Sequence, residues 1–269
     1  MAADLAPYLT HPQRPTFHHQ IEECQRELAT IGALARRLHI RLSFHAPAHT
    51  LLNSPDPERL SISGKTLTGL AAILDGMALP EEAVIVLHVG GHYHDRKGAL
   101  AAFVRGFEQL PAWVQRRLAL EHDDRRFDIE AILWIHQRTG VRLVFDYLHH
   151  QLYNPNRIPL PDAMAICLAT WPPNQTPKIH FSTPATEMVR DRHGQPHPPR
   201  LNRHSHYINP FAFIAFLNAL PRMRDFDIML EVKARDLALL QLRHHLNRFA
   251  PELTHLFQDF ASRQEKIPS

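Results

Sequence analysis

The stretch AVIVLHVG, residues 83–90, decides the reading of the fold. Five apolar residues run unbroken from Ala83 to Leu87, three of them β-branched, and the run ends at His88 before a glycine pair. A short run of this kind reads as a strand buried on both faces, as in a parallel sheet. Five further runs repeat the design: RLSFHA (41–46), RLALEHDD (117–124), VRLVFDYLH (141–149), KIHFST (178–183) and DIMLEV (227–232). Between them lie apolar residues three and four apart, which read as helices packed on the sheet. The stripes are Ile21, Cys24, Leu28, Ile31, Ala35 and Leu38; Leu67, Leu70, Leu74 and Met77; Phe103, Phe107 and Leu110; Ile129, Ile132 and Leu133; and Leu239, Leu242 and Leu246. Ser54-Pro55-Asp56-Pro57-Glu58 reads as the loop leading into the second helix. Strands alternating with helices predict an α/β fold with a parallel sheet. Six strands are visible, whereas a (β/α)8 barrel needs eight.

The chain has 269 residues, 44% of them apolar, enough for one core, and no linker divides it. We therefore expect a single domain over 1–269, with a long Pro-, Arg- and His-rich loop at about 184–204. No apolar run approaches the ~20 residues needed to span a membrane. The start, MAADLAPYLTHPQRP, has no secretory pattern. Cys24 and Cys167 read as reduced core thiols, which implies a cytoplasmic protein. Net charge is only +3, too small to argue for nucleic acid alone. The anomaly is the count of 21 histidines, the residue most used as a metal ligand.

Each visible strand carries a ligand-type residue at or near its C-terminal end: His45, His88, Glu121, Asp146 with His149, His180 and Glu231. Strand C-termini of a parallel barrel converge on one face, where active sites form. Carboxylates crowded there need a cation. The mixture of imidazole and carboxylate suits zinc or manganese better than calcium. His45 and His88 can share one ion with Glu121 bridging. Glu121, Asp146, His180 and Glu231 can hold a second. His149 can reach a third with a histidine from the long loop. Several ions about 4 Å apart suit phosphodiester hydrolysis.

The segments SFHAPAHTLLNSPDPE, LHVGGHYHDRKGAL, LALEHDD, VFDYLHH, ATWPPNQTPKIHFST, RHSHYI and DIMLEVKARDLALL resemble the UV damage endonuclease family from about Asp4 to about Leu240. The resemblance implies a TIM barrel of the xylose-isomerase-like, endonuclease IV-like kind. It also implies a metal cluster of three divalent ions, with manganese favoured and zinc suitable. The implied reaction is nicking of double-stranded DNA 5′ to UV photoproducts and some other lesions. Carried over by position, the implied metal residues are His11, His45, His88, Glu121, Asp146, His149, His180, His204 and Glu231, with Glu121 and Lys178 catalytic. Lys178 would act as a cation on phosphate or carry a carboxyl modification that adds a ligand.

Two departures stand out. Where the family reads His-Pro-Gly-Gln and an aromatic residue, as a wedge beside the lesion, this chain reads His45-Ala46-Pro47-Ala48-His49. Ala48 cannot hydrogen-bond a base edge, and His49 stacks less extensively than Tyr or Phe. His92 and Tyr93 are candidates for substitute contacts. The family also has two upstream strands, with a substrate-contacting Tyr on the first. We expect the barrel to be incomplete at the N-terminus, from a late-placed start or a truncated gene.

Candidate phosphate contacts are Arg125, Arg126, Arg157, Arg190, Arg192, Arg200 and Arg203, the cluster at 190–203 being the densest. No base-reading module is visible, so recognition would rest on duplex shape and deformability. Two competing readings are a divalent-metal sugar isomerase or epimerase, and a non-catalytic paralogue that binds metal or DNA. No membrane or protein partner is expected.

Overall fold

The computed structural model describes residues 1, 5–11 and 13–257. These form two compact units, 1–180 with 224–228 and 181–223 with 229–257.

The first unit alternates strand and helix as the hydrophobic pattern predicts. Its strands are β1 (Phe44–His45), β2 (Ile85–His88), β3 (Leu118–Glu121), β4 (Arg142–Asp146) and β5 (Lys178–Phe181), the last residue of which falls in the second unit. Its helices are α1 (Gln20–Glu23), α2 (Gln25–Arg37), α3 (Pro57–Gly76), α4 (Arg96–Glu108), α5 (Ala112–Gln115), α6 (Ile129–Thr139), α7 (Tyr147–Leu152) and α8 (Leu160–Ala169). Neighbouring strands are parallel, with His88 opposite Glu121 and Asp146 opposite His180. β2, β3 and β4 are buried almost throughout, which is why they read as continuous apolar runs. Asp56 caps α3, accepting from Glu58 N–H at 3.0 Å, and Pro57 takes the first helical position. That fixes where the chain leaving β1 turns back.

Two buried arginines hold the opposite ends of the strands. Arg117, just before β3, pairs with Asp75 at 2.6 Å and donates to the carbonyls of Leu79 (2.8 Å) and Ala83 (3.3 Å). Arg142, the first residue of β4, donates to Glu81 O and Gln175 Oε1, each at 2.8 Å, and to Arg116 O. Its guanidinium lies 5.1 Å from the Trp171 ring centroid. Burial pushes its pKa down to about 10, still far above neutrality.

The second unit holds two short antiparallel strands, β6 (Val189–Arg190) and β7 (Pro196–His197), and the helices α9 (Pro210–Ala219) and α10 (Arg235–Phe249). The segment 184–204, expected as an irregular loop, thus contains a hairpin. Strand β8 (Asp227–Leu230) completes the sheet order β1-β2-β3-β4-β5-β8, the six strands expected. Its first half belongs to the first unit, where Asp227 N–H donates to Pro177 O at 2.8 Å.

Three details differ from the sequence reading. Cys24 is exposed at the junction of α1 and α2, so only Cys167 is a core thiol. On α2 the buried stripe is Leu28, Gly32 and Ala35, and Ile31 and Leu38 are exposed. The cause is close backbone approach: a Cβ on Gly32 would lie 1.8 Å from Met77 O, so the helix meets its neighbour through its smallest residues. On α10 the buried stripe is Ala238, Leu242 and Leu246, and Leu239 faces solvent. Small Ala238 opens the stripe one residue earlier than apolarity alone suggests.

Candidate metal centre

Glu121 ends β3, is fully buried, and is surrounded by imidazoles. His45 Nε2 and His180 Nδ1 each lie 3.2 Å from its Oε2, and His88 Nε2 lies 3.8 Å from the same oxygen. His149 Nδ1 is 3.2 Å from Oε1. These rings sit side by side, with His45–His88, His88–His149 and His45–His180 centroids 5.2, 5.5 and 6.0 Å apart. The parallel register sets His88 opposite Glu121 and Asp146 opposite His180, and His149 comes from the first turn of α7. Burial penalises the Glu121 charge, yet His180, His88 and His149 together hold its carboxyl well below the usual carboxylate range. Burial likewise pushes the His88 imidazole down.

The ring orientations are fixed by main chain. His45 Nδ1 meets Ala46 O at 2.9 Å, His88 Nδ1 meets Glu121 O at 3.3 Å, and His149 Nδ1 meets His122 O at 2.9 Å. A ring nitrogen facing a carbonyl carries the proton, so in the neutral ring Nε2 of His45 and of His88 is the atom left to bind an ion. Each of these atoms faces Glu121 Oε2, a contact that a shared proton or a metal cation would hold together. Ligand bonds of about 2.1 Å put two donors of one ion about 3 Å or slightly more apart, which matches. His45, His88 and Glu121 offer atoms all within 4.8 Å of one another, as do Glu121, Asp146 and His180. The donor set therefore fits a divalent ion.

Asp146 has two tasks. Its Oδ1 caps α7, accepting from His149 N–H at 2.7 Å. Its own N–H donates to His122 Nε2 at 3.0 Å. His122 is fully buried and neutral, its pKa pushed well down by burial. It was missed in the sequence. It supports the site from behind through its ring and its carbonyl, as outer partners of metal ligands do.

The profile of the UV-endonuclease UvdE family matches residues 1–257. The chain belongs to the UV-endonuclease family. The UV DNA damage endonuclease of Bacillus pumilus is 32% identical over 91% of this chain and 73% of its own length. That of Bacillus velezensis is 32% identical over the same shares. Among solved structures, SacUVDE superposes with a TM-score of 0.77 at 30% identity, covering 91% of this chain and 78% of its own. Endonuclease IV from Thermus thermophilus, at 11% identity and a TM-score of 0.50 over 82% and 94% of the two chains, shares the fold alone. The fold is thus of the TIM-barrel kind, and this UV-endonuclease family member is an endonuclease.

The remaining expected residues fall as follows. Lys178, the first residue of β5, is buried with Nζ 2.5 Å from Ser43 Oγ. Burial, with Arg41 adding to it, pushes its pKa down to about 8 against the opposing pull of Asp227. His11 is exposed, and its Nδ1 accepts from Gln13 N–H at 3.2 Å. No group of close ligand atoms among the described residues includes it. In the second unit, His204 Nδ1 lies 2.7 Å from Glu231 O and 3.7 Å from Glu231 Oε2.

A cavity of about 540 Å³ adjoins His88 and His149 in the first unit, lined also by Ala48, Thr50, Arg59, Tyr93 and Arg126. Ala48 and Tyr93 thus meet at one opening, whereas His49 and His92 are exposed and do not line it. The loop bearing Tyr93 is held from below by Asn53, whose Nδ2 donates to Gly91 O at 2.6 Å. Arg190, Arg192 and Arg203 are exposed in the second unit.

Proposed function

We propose that this chain is a metal-dependent DNA repair endonuclease acting on damaged double-stranded DNA. It would cut the backbone 5′ to UV photoproducts or other distorting lesions, leaving a 3′-hydroxyl and a 5′-phosphate. The observation that carries this reading is Glu121, a buried carboxylate ringed by four imidazoles, three from strands and His149 from α7. Family membership supports the same reading.

His45, His88, Glu121, Asp146, His149 and His180 would hold the ions, joined by His11, His204 and Glu231. We propose three ions, manganese or zinc. Bound ions of this kind supply Lewis acidity and make water a nucleophile near neutral pH. Glu121 would bridge, its two oxygens already turned to different histidines. Asp146 stays oriented because its Oδ1 is tied to the start of α7. Lys178, on the same strand face as His180 two residues on, would add a positive charge or a further ligand. Ala48, Tyr93, His49, His92 and the arginines 190, 192 and 203 would line the DNA path. The two free cysteines fit work in the cytoplasm.

Nicking of UV-irradiated supercoiled plasmid, with Mn²⁺ and after chelation, tests the reading. Metal-dependent nicking of irradiated plasmid over the undamaged control is expected. A metal-loaded chain that nicks neither irradiated nor abasic DNA would overturn it.

A further inference from the structure

The hairpin of the second unit is exposed yet firmly built. At its base Ala185 N–H donates to Arg203 O at 2.6 Å and Ser205 N–H to Thr183 O at 3.0 Å, with Pro184 opposite His204. The same ladder therefore carries the hairpin and the candidate ligand His204. At the tip, Asp191 Oδ1 accepts from the N–H groups of His193 (2.8 Å) and Gln195 (2.9 Å), and its Oδ2 lies 3.1 Å from His197 Nε2. Arg190 donates to Gly194 O at 2.8 Å. Asp191 is thus spent inside the turn.

What the hairpin shows to solvent is unusual in its order. Met188, Val189 and Leu201 are 61, 51 and 54% exposed. Arg190, Arg192, Arg200 and Arg203 stand among them, and none has a carboxylate partner among the described residues. Between 184 and 204 the four arginines face two acids, Glu187 and Asp191. A single exposed apolar residue means little. Apolar residues flanked by cations fit a duplex, whose apolar base stack lies between two lines of phosphate. Apolar side chains that unstack a base step, held by arginines on the backbone, are a known mode of duplex distortion.

We propose that this hairpin is a wedge for distorted duplex DNA: Met188 and Val189 enter the base stack beside a weakened step, and Arg190, Arg192, Arg200 and Arg203 hold the flanking phosphates. The proposal rests on the DNA-endonuclease reading. A weakened step is cheaper to open, so the wedge converts distortion into affinity.

The test uses the full chain and a duplex with 2-aminopurine next to an abasic-site analogue, followed by rapid mixing before strand cleavage. The unmodified chain is expected to raise the fluorescence as the base unstacks. Met188→Ser with Val189→Ser, both on exposed side chains, should remove most of that rise. It should also lower the preference for damaged over undamaged duplex on the order of tenfold, with the salt dependence unchanged. Leu201→Ser should act in the same direction from the other limb. Arg190→Ala with Arg192→Ala should weaken both duplexes alike and reduce the salt slope by about 1–2. No rise with the unmodified chain, an unaltered rise and preference in the serine variants, or binding to anionic lipid vesicles without binding to the duplex overturns the wedge. Unaltered nicking by the serine variants with the preference kept sinks the wedge alone. A chain that unstacks the step but never nicks sinks the endonuclease reading alone.

Discussion

His45 Nε2 faces Glu121 Oε2 across 3.2 Å, while Nδ1 of the same ring is tied to the carbonyl of Ala46. One candidate ligand atom is thus aimed at the charge of another. Glu121→Gln keeps the shape and removes that charge. Nicking should fall by roughly 10²–10³-fold, and bound metal per chain, measured by elemental analysis, should drop. Far-UV circular dichroism should be unchanged. Full activity in the folded variant would end the bridging role of Glu121.

Removing metal should destabilise the chain. An ion at a hundred times its Kd stabilises the folded state by about 2.7 kcal/mol. Chelation should therefore lower the thermal midpoint, and adding Mn²⁺ or Zn²⁺ should restore it. Ligand imidazoles must be neutral to bind, so the restored increment should shrink as pH falls through the histidine range. A midpoint indifferent to chelation and refilling would mean these residues hold no ion.

Gly90 has φ +109°, and a Cβ there would lie 2.7 Å from Asn53 Oδ1 and 2.8 Å from Leu51 Cδ2. Gly90→Ala should cost about 1–3 kcal/mol in denaturant unfolding. It should also displace the loop bearing Tyr93, weakening DNA binding more than Gly64→Ala, whose Cβ has room at 3.6 Å. Equal effects of the two would show that the loop tolerates the strain.

Arg142→Leu should remove the donor to Glu81 O, Arg116 O and Gln175 Oε1, leaving these part-buried acceptors unmet. We expect a loss of roughly 3 kcal/mol or more. Arg142 titrates near 10, so the loss should be constant between about pH 6 and 8. A loss within about 0.5 kcal/mol would mean water replaces the guanidinium.

The strand-end ligands were legible because a parallel strand ends where its apolar run ends, and polar residues there must face the rim. His45, His88, Glu121 and Asp146 are each the last residue of a strand. His122 was illegible: it follows Glu121, and only the folded structure reveals that its ring receives the N–H of Asp146. The hairpin at 189–197 was illegible too, since its strands span two residues each and it is held by side-chain bonds of Asp191 that leave no periodicity. Cys24 and Leu239 were misplaced because a helical stripe fixes a period, whereas small residues such as Gly32 and Ala238 decide which face approaches a neighbour.

The carbonyl tethers on His45, His88 and His149 bear on which ion the proposed site would take. A cage whose donors are locked before loading neither closes around a favoured ion nor opens to expel a poor one. Such a cage ranks first-row ions by their intrinsic affinities, in which zinc stands above manganese. The metal found in cells would then report the local supply, and the same polypeptide would change its catalytic vigour with the nutrition of its host.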